Sequence, residues 1–208
     1  MVTTVKAVYT GADLAAEIVK ARKSFEYFLF NHVYIRDVQP DGTTRTVQWQ
    51  HWPLHDDLLL DLKHPRLISL KARQEGYSWF YAAYMDWGIL YHRNYLAGMT
   101  SAGEIEAAEF VDKCRFILEH LPYEPNVTFV ATMLSVTYPA SGGEIKGFPS
   151  TPKAGRGFTF NFFLADEAAF HPYAEEAYAS YEAATEHGQI AIVSSAGDSE
   201  RQITNDFF

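Results

Sequence analysis

Leu70-Lys-Ala-Arg-Gln-Glu-Gly-Tyr-Ser-Trp79 and, further along, Phe162-Phe-Leu-Ala-Asp-Glu-Ala168 decide how this chain is read. The first stretch is close to a phosphate-binding loop, Gly-x-x-x-x-Gly-Lys-Ser/Thr. In such a loop backbone amides cradle the phosphates, the lysine reaches the outer ones and the hydroxyl ligates magnesium. Gly76 and Ser78 hold the last glycine and hydroxyl places, while Lys71 occupies the first glycine place and Tyr77 the lysine place. The charge requirement is still met if Lys71 or Arg73 folds back over the phosphates, because what counts is a cation near the transferring group. A helix opening at Ser78 adds its positive end. The alternative is a tight strand-to-helix turn bearing two surface cations.

The second stretch is an apolar strand ending in adjacent carboxylates. Asp166 suits magnesium support and Glu167 suits polarising an attacking water. Adjacent acids are common on surfaces, but after an apolar strand and downstream of the loop they gain weight. Ser194-Ser195, after the apolar run Ile190 to Val193, either senses a γ-phosphate or is a polar strand end. Arg156, in Lys153-Ala-Gly-Arg-Gly-Phe158, has flanking glycines that free the backbone to project it, so it fits an arginine finger acting on a neighbouring subunit's site. A solvated loop cation and a DNA phosphate contact are the other readings. Gln50, Trp52 and His55, near Trp49, either stack on and hydrogen-bond an adenine edge or belong to the core. The motif argues against a serine hydrolase at Ser78, since Gly76-Tyr-Ser78-Trp-Phe80 lacks the second glycine of a nucleophile elbow.

Around these motifs the chain alternates short apolar runs with helical patterns. Arg66 to Leu70, Tyr95 to Met99, Val127 to Thr132, Phe160 to Ala165 and Ile190 to Val193 read as strands of a largely parallel sheet. Helices are expected over Ser78 to Tyr91, over Ala102 to Leu121 behind a Ser101/Glu104 capping box, and over Pro172 to His187, closed by Gly188. The fold class is therefore α/β. Ser135 to Gly157 interrupts the alternation and reads as a hairpin plus a mobile loop. Upstream, Thr10 with Asp13 resembles a capping box for one amphipathic helix over residues 11 to 30. Tyr34 to Trp49 holds a Pro-Asp-Gly hairpin turn, and Pro53 opens a helix to Leu62. The expected division is an N-terminal helical arm or lid with the adenine-side segment over 1–62, and a nucleotide-hydrolysing core over 63–208.

Composition sets further bounds. The 208 residues are 48% hydrophobic and 15% aromatic, enough for one sizeable core and against disorder. A net charge of −9 with 17 Lys plus Arg excludes a general basic surface for nucleic acid, so any such contact is local. Cys114 is the only cysteine, which excludes an internal disulfide and suggests a core residue in a reducing compartment. No secretory leader or membrane span is expected, and the protein reads as soluble and intracellular.

Taken together, the motifs resemble those of the large subunit of tailed-phage DNA-packaging terminases, in its N-terminal ATPase domain. Lys71-Ala-Arg-Gln-Glu-Gly-Tyr-Ser78 corresponds to a deviant Walker A, Leu164-Ala-Asp-Glu-Ala168 to Walker B, Gly155-Arg-Gly157 to the segment before it and Ser194-Ser195-Ala196 to the coupling motif. The order and spacing of all four match, from about residue 20 to the end. The resemblance implies a P-loop NTPase of the ASCE type, with a mainly parallel central sheet flanked by helices, using ATP and Mg²⁺. By it, Ser78 and Asp166 support the metal, Glu167 is the catalytic carboxylate and Arg156 acts in trans. Lys71, Arg73, Gln74, Gly76, Tyr77, Ser78, Gln50, Trp52, His55, Ser194 and Ser195 surround the nucleotide. His55 stands where the family usually has an adenine-contacting glutamine. The implied partners are double-stranded DNA, a homo-oligomeric ring, a portal protein and a small terminase subunit, with no membrane. The implied location is the host cytoplasm, transiently on a viral procapsid. Arg22, Lys146 and Lys153 are candidate DNA contacts. The family's C-terminal nuclease carboxylates have no counterpart here, so no cleavage activity is expected. A helicase-like ATPase and a catalytically inert P-loop scaffold are the alternatives.

Overall fold

The computed structural model describes residues 8–39, 41–72 and 75–195. A short strand β1 (Tyr9–Thr10) leads into helices α1 (Gly11–Lys23) and α2 (Phe25–His32). The hairpin β2 (Tyr34–Val38) and β3 (Thr44–Gln48) follows, then α3 (Pro53–Asp61). The central part runs β4 (Arg66–Lys71), α4 (Tyr77–Tyr91), β5 (Leu96–Ser101) and α5 (Glu104–Glu119). After β6 (Tyr123–Glu124) come β7 (Val130–Ala131), β8 (Ser135–Tyr138) and β9 (Gly143–Pro149). The chain then forms β10 (Phe162–Asp166), a single 3₁₀ turn over Ala168–Phe170, α6 (Ala174–Ala184) and β11 (Gln189–Ser195).

Seven strands form one sheet in the order β4-β11-β10-β5-β9-β8-β7. The first five are parallel, and β8 and β7 add antiparallel at the far edge. Parallel strands covered on both faces need apolar side chains throughout, which is why β10 and β11 are almost uniformly apolar and buried. On one face, Leu67, Met99, Phe162 and Val193 join a core with α4 and α5 that includes Phe80, Met85, Phe110 and Ile117. On the other, Phe163, Ala165, Ile190 and Ile192 pack under Ala177 and Tyr181 of α6.

Four expectations need correction. The single helix over 11 to 30 is two helices, because Ser24 adopts extended backbone (φ −145°, ψ 117°) and its Oγ accepts the Tyr27 amide, capping α2. The turn aims Phe25 and Phe28 at α4, where Phe25 packs edge-on against Phe80 and Tyr84, and the Trp87 indole donates to the Ala21 carbonyl at 2.8 Å. Neither expected capping box forms. Thr10 makes no side-chain cap, and α5 starts one residue after Gly103 because Ser101 is still the last residue of β5.

Val127 to Thr132 is not an interior strand either. Only Val130–Ala131 pairs, at the sheet edge, with its side chains exposed. The interior place beside β5 belongs to β9, whose register sets Leu96 opposite Glu144 and Met99 opposite Gly147. Glycine makes this possible. A Cβ at Gly143 would lie 2.8 Å from the Cα of Ile89, so α4 can rest directly on the strand only where no side chain intervenes.

Candidate functional site

All five parallel strands end on one side, and the polar residues of the two decisive stretches meet there. β4 hands over to α4 through Gly76, whose φ of +77° lies in the left-handed region that favours glycine. The helix therefore starts abruptly, with Tyr77 and Ser78 in its first turn and free backbone N–H groups directed outward. Ser78 Oγ donates to Asp166 Oδ2 at 2.7 Å, and the other oxygen of Asp166 accepts the Glu167 amide at 3.0 Å.

Glu167 leaves the end of β10 in a left-handed conformation (φ +52°, ψ 41°), unusual for a residue with a side chain. That bend swings its carboxylate across β11. Oε1 accepts Lys71 Nζ at 2.9 Å and Oε2 accepts Ser195 Oγ at 3.1 Å. Lys71 is almost wholly enclosed, its side chain 6% exposed, whereas the Glu167 side chain is 35% exposed and open to an incoming group.

The two acids are tuned apart. Burial raises the Asp166 pKa, with the Ser78 hydrogen bond opposing and the neighbouring Glu167 charge adding to the rise. For Glu167 burial also works against ionisation, but the Lys71 hydrogen bond and charge, together with Ser195, outweigh it and hold the pKa below the usual range. Glu167 is thus held ionised, with its charge anchored by Lys71 and Ser195. Among the described residues no three metal-ligating side chains cluster. One carboxylate beside one hydroxyl is nonetheless what magnesium uses when waters and phosphates complete its octahedron, so Asp166 and Ser78 fit that ion.

Next to Gly76 lies a cleft of about 580 Å³ between the β2–β3 hairpin and the start of α4. Trp49, Gln50, Trp52, His55, Gly76 and Trp79 contribute to its wall. His55 is buried and stacks on Trp52 (centroids 5.5 Å apart, planes 10° apart), while its Nδ1 accepts the Trp52 amide at 3.3 Å. Its Nε2 has no hydrogen-bond partner among the described residues, and a Cβ at Gly76 would lie 3.9 Å from it. Burial lowers the His55 pKa, keeping the ring neutral.

Other expected residues stand apart. Ser194 Oγ accepts the Ala169 amide at 3.0 Å and donates to the Ser195 carbonyl at 2.9 Å, so it is committed to holding the turn after Glu167. Arg156 lies on an exposed turn between β9 and β10, stabilised by its own amide donating to the Lys153 carbonyl, and is not drawn into the Lys71, Ser78, Asp166 and Glu167 cluster. Arg73, Gln74 and Ala196 lie outside the described residues. Lys146 pairs with Glu144, and Arg22 and Lys153 are exposed. Sequence reasoning missed His171, buried beneath the Asp166–Glu167 turn; a histidine five residues past the carboxylate strand carries no spacing signal.

A strand leading into α4 at one sheet edge, a strand ending in carboxylates two places away and a third strand between them give the strand arrangement of an ASCE-type P-loop NTPase fold. Within that class the chain has the fold of the phage large-terminase ATPase domain. The crystal structure of the HK97 bacteriophage large terminase aligns with a TM-score of 0.64 at 13% identity, over 83% of this chain and 37% of that one. The ATPase domain of the Thermus phage P74-26 large terminase aligns with a TM-score of 0.51 at 19% identity, over 65% of this chain and 61% of that one. The chain therefore spans well under two thirds of the HK97 protein's length. No protein-family model matches the sequence, and no curated protein is significantly similar to it. Among the described residues no helix is long and apolar enough to cross a membrane.

Proposed function

We propose that this chain is a magnesium-dependent ATPase of a viral DNA-packaging motor, coupling hydrolysis to movement of double-stranded DNA into a procapsid. The observation that carries the proposal is the meeting of Ser78 with Asp166 and of Lys71 with Glu167 at the mouth of α4. Phosphates are to be held by the α4 amides and Lys71, and the base by the cleft at Trp52 and His55. Ser78 and Asp166 would hold Mg²⁺, which would supply neutralising charge for the outer phosphates. Glu167 orients a water whose oxygen forms a bond to the γ-phosphorus as the bond to the β–γ bridging oxygen breaks. The water's proton passes to Glu167, leaving ADP and inorganic phosphate.

Arg156, projecting from its exposed turn, is assigned to the developing charge in a neighbouring subunit's site, which requires a ring of copies. The likeness of the fold to phage large terminases supports double-stranded DNA, a portal protein and a small terminase subunit as the motor's partners. The proposal is tested by measuring phosphate release from Mg·ATP. Wild type should turn over and Glu167→Gln should lose at least about a hundredfold while still binding nucleotide. Nucleotide binding with no turnover in wild type would favour the inert scaffold, a reading motivated by Tyr77 in the lysine place.

A further inference from the structure

His171 follows the 3₁₀ turn and is 3% exposed. Its Nε2 lies 2.8 Å from the backbone oxygen of Asp166. A carbonyl oxygen only accepts, so Nε2 carries the proton and donates, which the neutral ring does in one tautomer. Asp166 is the last residue of β10 to pair with β11, opposite Val193, and its carbonyl begins the peptide that leads into the left-handed Glu167.

A side-chain-bearing residue holds such a backbone only where its surroundings fix the flanking peptides. Here the Ala169 amide is fixed by Ser194 Oγ on the far side, and the Phe170 amide bonds back to the Glu167 carbonyl at 2.9 Å. On the near side the Asp166 carbonyl is held by His171. Burial lowers the His171 pKa against the Asp166 bond and the Glu167 charge, consistent with a neutral ring serving as a fixed strut.

We infer that His171 is a positioning residue for hydrolysis: its hydrogen bond to the Asp166 carbonyl locks the left-handed bend that delivers the Glu167 carboxylate to Lys71 and Ser195. His171 bonds the Asp166 carbonyl and not its carboxylate, and Lys71, Gly76 and Ser78 approach from β4 and α4, so nucleotide binding should change less than turnover. The inference rests on the proposed role of Glu167 only where activity is the readout.

Three variants test it. With His171→Leu, kcat for ATP should fall roughly 10- to 100-fold, as expected when a reacting group is misplaced by about an ångström. KM for ATP should stay within about twofold. His171→Gln places an amide donor where Nε2 stood and should restore kcat to within about threefold of wild type, a rescue that mere cavity filling does not give. Should His171→Leu fail to fold, His171→Asn, whose shorter side chain stops short of the carbonyl, should show the same loss in kcat with a cooperative melt. Equal kcat in the leucine and glutamine variants, or a change in KM alone, would overturn the inference.

A crystal structure of the leucine or asparagine variant decides independently of turnover. Glu167 should leave positive φ and lose its contact with Lys71, and an unchanged bend refutes the positioning role. If Glu167→Gln hydrolyses ATP like wild type, the reading of the site has failed, whereas the geometry in that crystal still decides the role of His171.

Discussion

Lys71 Nζ lies 2.9 Å from Glu167 Oε1 although their strands, β4 and β10, are not neighbours. The strand between them, β11, contributes Ser195, which pairs with Lys71 in register and donates to the other Glu167 oxygen. One carboxylate thus ties three strand ends together. The cation that a phosphate would need is the same one that keeps Glu167 ionised.

Replacing Lys71 by methionine should therefore change two properties at once. ATP affinity should fall roughly 10- to 100-fold, the worth of about 1.5–3 kcal/mol for a charge-assisted hydrogen bond. The pKa of Glu167 should rise, because burial is then opposed by Ser195 alone. In wild type the carboxylate titrates below its ordinary value, so it remains charged throughout the neutral range and lost activity on its account appears only in acid. In the variant that acid limb should move to higher pH, which ¹³C NMR titration of the Glu167 carboxylate reads directly. An unmoved titration would show that Lys71 does not govern this group.

On the proposed reading Ser78, at the start of α4, and Asp166, at the end of β10, are the metal's protein ligands. Ser78→Ala should raise the Mg²⁺ concentration for half-maximal hydrolysis by roughly tenfold or more, while Ser78→Thr keeps the hydroxyl and should stay close to wild type. Burial raises the Asp166 pKa, so protons compete with the ion for its carboxylate. The Mg²⁺ requirement should accordingly grow as pH is lowered. It is measured by titrating MgCl₂ at fixed ATP across a pH series, and a requirement independent of both Ser78 and pH would count against this ligand pair.

The sequence carried the alternation of strands and helices because parallel strands buried on both faces must be apolar, and β4, β5, β10 and β11 stood out as apolar runs bounded by polar residues. It also carried the convergence of Ser78 with Asp166, since a hydroxyl at a helix start and an acid at a strand end have few other arrangements in such a sheet. What it hid depends on backbone direction. Gly143 and Gly147 fall within Ser135 to Gly157, which reads as a hairpin plus a mobile loop, yet they let α4 and α5 rest on β9. Ser24 looked like an ordinary helical position until its backbone turned extended to cap α2. The left-handed bend at Glu167 and its support from His171 leave no trace in residue periodicity. Ser195 differs from its neighbour Ser194 only in which way a strand alternation points it.

Asp86 lies in the middle of α4, fully buried, and neither carboxylate oxygen has a hydrogen-bond partner among the described residues. Burial raises its pKa well above 3.8, so the folded chain keeps the proton that the unfolded chain releases. Between those two values the folded state binds one more proton, and stability on this account falls by about 1.4 kcal/mol per pH unit as pH rises. Asp86→Asn removes the titration while preserving shape. Its stability relative to wild type should therefore climb with pH above about 4, reaching a plateau once the buried acid ionises in the native state. Urea unfolding of both proteins from pH 5 to 8 measures the difference, and parallel curves would show that Asp86 ionises alike in both states.

Arg156 lies away from the Glu167 cluster of its own chain, on an exposed turn framed by Gly155 and Gly157 at positive φ (75° and 87°). On the proposed reading the guanidinium on this turn meets the transition state in another copy, so its contribution should be complementable. Arg156→Ala alone should lose roughly 10³-fold or more in kcat, the scale of an arginine finger, with ATP binding retained. Glu167→Gln alone should be inactive for a different reason. In mixed rings an Arg156→Ala subunit keeps an intact Glu167 and can receive an arginine from a neighbouring Glu167→Gln subunit, so turnover should reappear on mixing two inactive proteins and peak at intermediate ratios. The measurement is phosphate release against mixing ratio at fixed total protein, under conditions where sedimentation shows assembly. Recovery at no ratio, with assembly intact, would assign the arginine to its own chain or remove it from catalysis.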